Sequence, residues 1–129
     1  MANTEEVYHL EDSPLLSSIN SNFLKKVERL SNLCNFEICG LLANEKIYFL
    51  RNSSPFPRET FYIKPEYYVN LLPNVNFIFH SHVLGSAKPS EPDLEISKEF
   101  GAKMIIYSVP KKNFSFYCPK SHKLIYFYL

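Results

Sequence analysis

Apolar runs of strand length alternate with helical segments along this chain, and that alternation limits the fold more than any other feature. Val75 to Ser81 reads Val-Asn-Phe-Ile-Phe-His-Ser, a buried strand. A loop from Val83 to Pro89 follows, then a helical segment from Glu91 to Phe100, ended by Gly101. Upstream, Leu15, Leu16, Ile19, Phe23, Val27 and Leu30 recur at spacings of three and four. That period predicts a helix from Pro14 to about Leu30, with Ser13 as its N-cap. Phe36–Ala43 and Lys46–Arg51 are two apolar runs joined by Asn44-Glu45, the signal of a tight hairpin. Asn52 to Arg58 holds two prolines and two serines and reads as a loop. Thr60–Ile63 reads as a short strand, and Pro65 starts a short helix through Leu72. Lys103–Val109, Phe114–Cys118 and Leu124–Leu129 are three closing strands. The expected fold class is α/β, with one mixed, curved β-sheet flanked by helices.

The length of 129 residues suits a single domain, 1–129, and 46% hydrophobic residues suffice for a core. A net charge of +1 and the lack of any basic block argue against nucleic acid as a partner. No apolar run reaches the roughly 20 residues of a membrane span, so no membrane role is expected. The first residues lack the positive region and apolar stretch of a secretory signal, which makes a cytoplasmic location the expectation. Three cysteines without a CxxC pair exclude a disulfide framework and a cysteine-type zinc site.

The chemistry concentrates in His80-Ser81-His82 and, eight residues on, Ser90-Glu-Pro-Asp93. Strand side chains alternate, so His80 and His82 share one face while Ser81 takes the other. Asp93, in the first turn of the next helix, can bring a carboxylate toward the same point. Two imidazoles and a carboxylate make a zinc shell with its fourth position open to water. Simpler readings exist for the parts. A histidine pair at a strand end can be half-exposed surface, and Ser-x-x-Asp can be a capping box. The combination is harder to reach by accident. A chain with 4 histidines and this composition meets His-x-His-x7-Ser-x2-Asp with odds on the order of 10⁻⁴. Glu37 is a lone charge in Phe-Glu-Ile-Cys-Gly-Leu-Leu, where a buried carboxylate needs a reason.

Glu37, together with His80-x-His82-x7-Ser90-x2-Asp93, resembles the JAMM/MPN (JAB-domain) zinc metallopeptidase family. The resemblance runs from Glu37 to Asp93, and the flanking helix and strands follow the family's order. It implies His80, His82 and Asp93 as metal ligands for Zn2+. It implies Glu37 as the catalytic general acid/base for the attacking water, and Ser90 as a catalytic group that stabilises the oxyanion. Val83 departs from the proline that many members carry after the second histidine; it bears no ligand, so the departure concerns loop shape. The small size and the Glu-x-Cys-Gly-Leu-Leu segment resemble the bacterial and phage branch. The implied activity is hydrolysis of a peptide or isopeptide bond in a protein or peptide substrate. Implied partners are a ubiquitin-like or sulfur-carrier protein, or phage tail components, the latter with a virion-associated location. The alternative is a structural or assembly component that retains the fold for protein contacts.

Other residues carry less. Cys39 could approach the metal face, but a small buried hydrophobe is the simpler reading. His9 and His122 read as surface residues, and Ile125–Tyr128 as a core or edge strand. A nucleobase deaminase would need His-x-Glu and Pro-Cys-x-x-Cys, and neither occurs. The substrate is expected to enter as an extended strand beside the Val83–Pro89 loop.

Overall fold

The computed structural model describes the backbone of Val7–His9 and all of residues 19–129. Seven strands form one sheet in the order β1-β7-β6-β5-β4-β2-β3. They are β1 (Val7–His9), β2 (Cys39–Ala43), β3 (Lys46–Leu50), β4 (Val75–His82), β5 (Lys103–Ser108), β6 (Asn113–Cys118) and β7 (Lys123–Tyr128). β1 with β7 and β4 with β5 pair in parallel, and the remaining neighbours are antiparallel, so the sheet is mixed. Helix α1 (Ser21–Leu33) and helix α2 (Glu91–Phe100) flank it. The α/β class expected from the alternation is the class observed.

The strand period of two sorts β4 and β5 between the helices. Phe79, Ile105 and Tyr107 pack with Phe23, Leu24 and Val27 of α1. Ile78, Met104 and Ile106 face the other way, where Ile96 and Phe100 of α2 join them. Each large apolar side chain buried this way contributes on the order of 1.5–3 kcal/mol. Among the described residues no helix is long and apolar enough to cross a membrane.

Several boundaries differ from the sequence reading. Helix α1 starts at Ser21, because Asn20 is extended and its side chain accepts from the Asn22 amide at 2.8 Å. It runs on to Leu33, past the expected end near Leu30. Ser13, Pro14, Leu15 and Leu16 lie outside the described residues. Strand β2 begins at Cys39 rather than Phe36. Thr60–Ile63 forms no strand, since Tyr62 bonds to the Asn52 side chain and to one backbone amide instead of a ladder. The expected helix after Pro65 is two short 3-10 turns, Pro65–Tyr67 and Val69–Leu71. The Ile125–Tyr128 run lies within β7, which β1 covers on its outer side.

The Asn44-Glu45 turn has positive φ at both residues, 53° and 63°, which is the form that matches the twist of a two-residue hairpin. One strand position is equally demanding. A Cβ on Gly40 would lie 2.5 Å from Cζ of Phe79 and closer still to the Tyr48 carbonyl oxygen. The oxygen is backbone and cannot move aside without separating β2 from β3. Gly40→Ala is therefore expected to cost at least the ~1–3 kcal/mol of ordinary core overpacking. A urea midpoint unchanged from wild type would contradict this account of the β2–β3 contact.

Candidate metal and catalytic centre

The site forms where β4 ends and α2 begins. The connection from β4 through α2 to parallel β5 puts the first turn of α2 beside the carboxyl end of β4, where open α/β sheets bind ligands. His80 and His82 belong to the α2 face of β4, in line with Ile78. Ser90 caps α2: its hydroxyl oxygen accepts from the Asp93 amide at 3.2 Å, and its own amide donates to Asp93 Oδ2 at 2.9 Å. This capping box aims the Asp93 carboxylate back at the strand.

Three side chains then converge. Nε2 of His80 lies 3.2 Å from Nε2 of His82 and 3.2 Å from Asp93 Oδ1. Nε2 of His82 lies 3.2 Å from Asp93 Oδ2. A tetrahedral cation with bonds of about 2.0–2.1 Å has ligand–ligand edges of about 3.3–3.4 Å. The two imidazole nitrogens already stand close to one edge of such a tetrahedron, and the carboxylate turns one oxygen to each of them. Glu37 offers a carboxylate oxygen within 4.8 Å of both imidazoles. The two histidines could form a metal group with Glu37 or with Asp93. The Asp93 carboxylate meets both nitrogens at 3.2 Å, through a different oxygen for each, while a Glu37 oxygen lies within 4.8 Å of both.

Neighbouring groups fix the rings. His82 Nδ1 lies 2.6 Å from the Ser86 carbonyl, which as an acceptor requires the proton on Nδ1 and frees the Nε2 lone pair. The loop carrying Ser86 is itself pinned: Ser108 Oγ donates to the Gly85 carbonyl at 2.7 Å and Ser115 Oγ to the Ala87 carbonyl at 2.5 Å. His80 is fully buried, and its ring packs on Phe61 with centroids 4.2 Å apart. Its Nδ1 has no hydrogen-bond partner among the described residues, so its polar contacts run through Nε2.

The electrostatics follow from burial and crowding. Burial works to raise the Asp93 pKa. The two imidazoles and the Ser90 amide overcome it and hold Asp93 well below the usual carboxylate range. Burial lowers His80 and keeps it neutral, with Asp93 pulling the other way. Burial also acts to lower His82, but its bonds to Asp93 and Ser86 prevail and raise it. Glu37 is pushed up to about 7, first by burial and to a lesser degree by Asp93, while His82 draws it down. A dication here would favour the ionised form of both carboxylates.

Glu37, His82, Ser90 and Asp93 line a cleft of about 350 Å³ with Arg58, Glu59, Phe61, Leu84 and Ile96. The structure thus brings all five sequence-derived site residues together. The reading missed the residues that hold them: Ser81, Ser108, Ser115 and Asn52. A serine inside a buried apolar strand was the available signal for the first three, since buried hydroxyls are bonded to something. Ser81 Oγ accepts from the Ile38 amide at 2.9 Å, which fixes the segment carrying Glu37. Cys39 is buried with its thiol 3.5 Å from the Leu50 carbonyl. Burial pushes its pKa up to about 12, so it is no nucleophile. His122 is exposed, with Nδ1 3.2 Å from the Tyr117 hydroxyl. The side chain of His9 lies outside the described residues.

No protein-family model and no curated protein matches the sequence. Among solved structures, protein DSY2949 from Desulfitobacterium hafniense, a structural-genomics target determined in solution, is similar in fold. The TM-score is 0.59 at 19% identity, covering 83% of this chain and 86% of that one. At that identity the likeness shows the fold alone.

The raised pKa of Glu37 has a consequence for the metal-free protein. Its proton is bound more tightly in the folded chain than at the ordinary value of 4.5. The stability contributed by the neutral carboxyl is present at low pH and lost as pH rises from 4.5 to about 7. Glu37→Gln has no proton to lose. In chelator-treated protein its melting temperature should match wild type near about pH 4 and exceed it near about pH 8. A pH-independent difference between the two proteins would refute the buried, raised carboxyl.

Proposed function

We propose that this chain is a zinc-dependent hydrolase of the JAMM/MPN type, cleaving a peptide or isopeptide bond in a polypeptide substrate. One observation carries the reading: two imidazole nitrogens 3.2 Å apart, each 3.2 Å from its own oxygen of the Asp93 carboxylate, with the Glu37 carboxylate nearby at the same cleft. Two imidazole nitrogens and one carboxylate suit Zn2+ and leave a fourth position free. Zinc bound there would acidify a water and polarise the scissile carbonyl.

The chain's own residues do the rest. Glu37, with a pKa pushed up to about 7, takes the proton from the attacking water and passes it to the leaving amine. Ser90 spends an oxygen lone pair on the Asp93 amide, which leaves its hydroxyl proton to meet the carbonyl oxygen as negative charge develops there. Phe61, Leu84 and Ile96 give the cleft apolar surface for side chains of an extended substrate. A ubiquitin-like carrier tail and a phage tail polypeptide are the substrate types that fit this reading. Cytoplasmic and virion-associated locations follow from them respectively.

Protein purified without chelator is expected to hold one zinc per chain, and His80→Ala or His82→Ala to lose most of it. Glu37→Gln should keep the zinc and lose ~10²–10⁴ in turnover. The assay is cleavage of a random peptide library and of isopeptide-linked ubiquitin conjugates, with bound zinc measured by elemental analysis. Stoichiometric zinc with no zinc-dependent cleavage in either set would sink the hydrolase reading and leave the assembly role.

A further inference from the structure

Glu37 stands outside the regular ladder, because β2 begins two residues later at Cys39. Its backbone is held from the 52–62 loop instead. The Glu37 amide donates to the Pro57 carbonyl at 2.7 Å, and its carbonyl accepts from Asn52 Nδ2 at 3.0 Å. Asn52 does more than this one bond. The same Nδ2 donates to the Thr60 carbonyl at 3.0 Å, while Oδ1 accepts from the amides of Ser54 and Tyr62, each at 3.0 Å. A planar amide with two donors and one acceptor oxygen thereby ties both ends of the loop to the residue that carries the carboxylate. That loop also supplies Arg58, Thr60 and Phe61 to the wall of the cleft.

We propose that Asn52 is a positioning residue for Glu37, setting the reach of its carboxylate over the histidine pair and coupling it to the cleft wall. The proposal rests on the hydrolase reading for its effect on turnover, but the placement of Glu37 can be tested without it. Asn52 touches none of the ligands on β4 or α2, so its loss should spare the metal. Displacing a proton-transfer group by a fraction of its reach should still cost about 10–100-fold in rate.

Two substitutions separate the roles of the side chain. Asn52→Ala removes every bond. Asn52→Asp keeps the acceptor for Ser54 and Tyr62, so the loop stays closed, but turns the donor facing the Glu37 and Thr60 carbonyls into an acceptor. Both variants should bind zinc at wild-type stoichiometry and lose about 10–100-fold in kcat on a peptide cleaved from the library, with a smaller change in KM. In a Glu37→Gln background the same substitutions should reduce kcat by less than about twofold, since a residue acting through Glu37 has nothing left to position. Full additivity of the two losses would overturn the proposal, because Asn52 would then act on loop stability alone. A readout free of turnover runs in parallel. In both variants, amide hydrogen exchange at Glu37 should accelerate while that at Asp93 is unchanged, and the visible spectrum of cobalt-loaded protein should shift. If wild type proves inactive but these two signals change, the hydrolase reading fails and the positioning of Glu37 stands. Unchanged exchange and an unchanged spectrum overturn the proposal whatever the activity.

Discussion

One buried carboxylate organises the whole site. Asp93 is 5% exposed and ionised, a state that costs several kcal/mol of lost hydration unless the surroundings restore it. Two imidazoles, one backbone amide and the first turn of α2 do so. Each contributor owes its place to a different rule. The imidazoles share a face because strands alternate with a period of two. The amide is available because Ser90 ends the loop and caps the helix. The helix lies there because β4 and β5 are parallel and the chain must cross between them.

The supporting groups show how little of this is left to chance. Three buried serines, Ser81, Ser108 and Ser115, each spend a hydroxyl on a loop or an irregular segment rather than on another side chain. They convert the ends of regular strands into fixed points for non-repetitive backbone. The 83–89 loop and the Glu37 segment are held beside the histidine pair from behind, on the side away from the cleft.

The sequence disclosed most of this at short range. Helix α2 was legible to the residue, because Ser90, Asp93 and Gly101 announce both ends locally. The hairpin turn, β3 and β4 to β7 came within one residue, because their apolar runs are bounded by turn residues, while β2 starts three residues later than its apolar run. His80, His82, Ser90 and Asp93 fall within fourteen positions, so strand and helix periods alone put them on one side. What escaped depends on separations no local pattern encodes. Ser81 meets Ile38 across 43 residues, and Ser115 meets Ala87 across 28. β1 was missed because three residues carry no usable period. Thr60–Ile63 had strand composition, but the Asn52 amide captured the Tyr62 amide. At α1, the apolar period ran past Asn20, whose side chain caps the N-terminus and sets where the helix starts.

The sheet order also governs when the site can exist during synthesis. β4 lies between β2 and β5, and the loop after it is pinned by Ser108 and Ser115. The ribosome makes both histidines and Asp93 before any of β5 or β6. For that interval His80, His82 and Asp93 sit on a chain whose central strand has only one neighbour and whose loop has no anchor. The full set of contacts that fixes them is complete only once residues near 115 have left the exit tunnel, so the site takes its final shape after the sheet closes and does not template it.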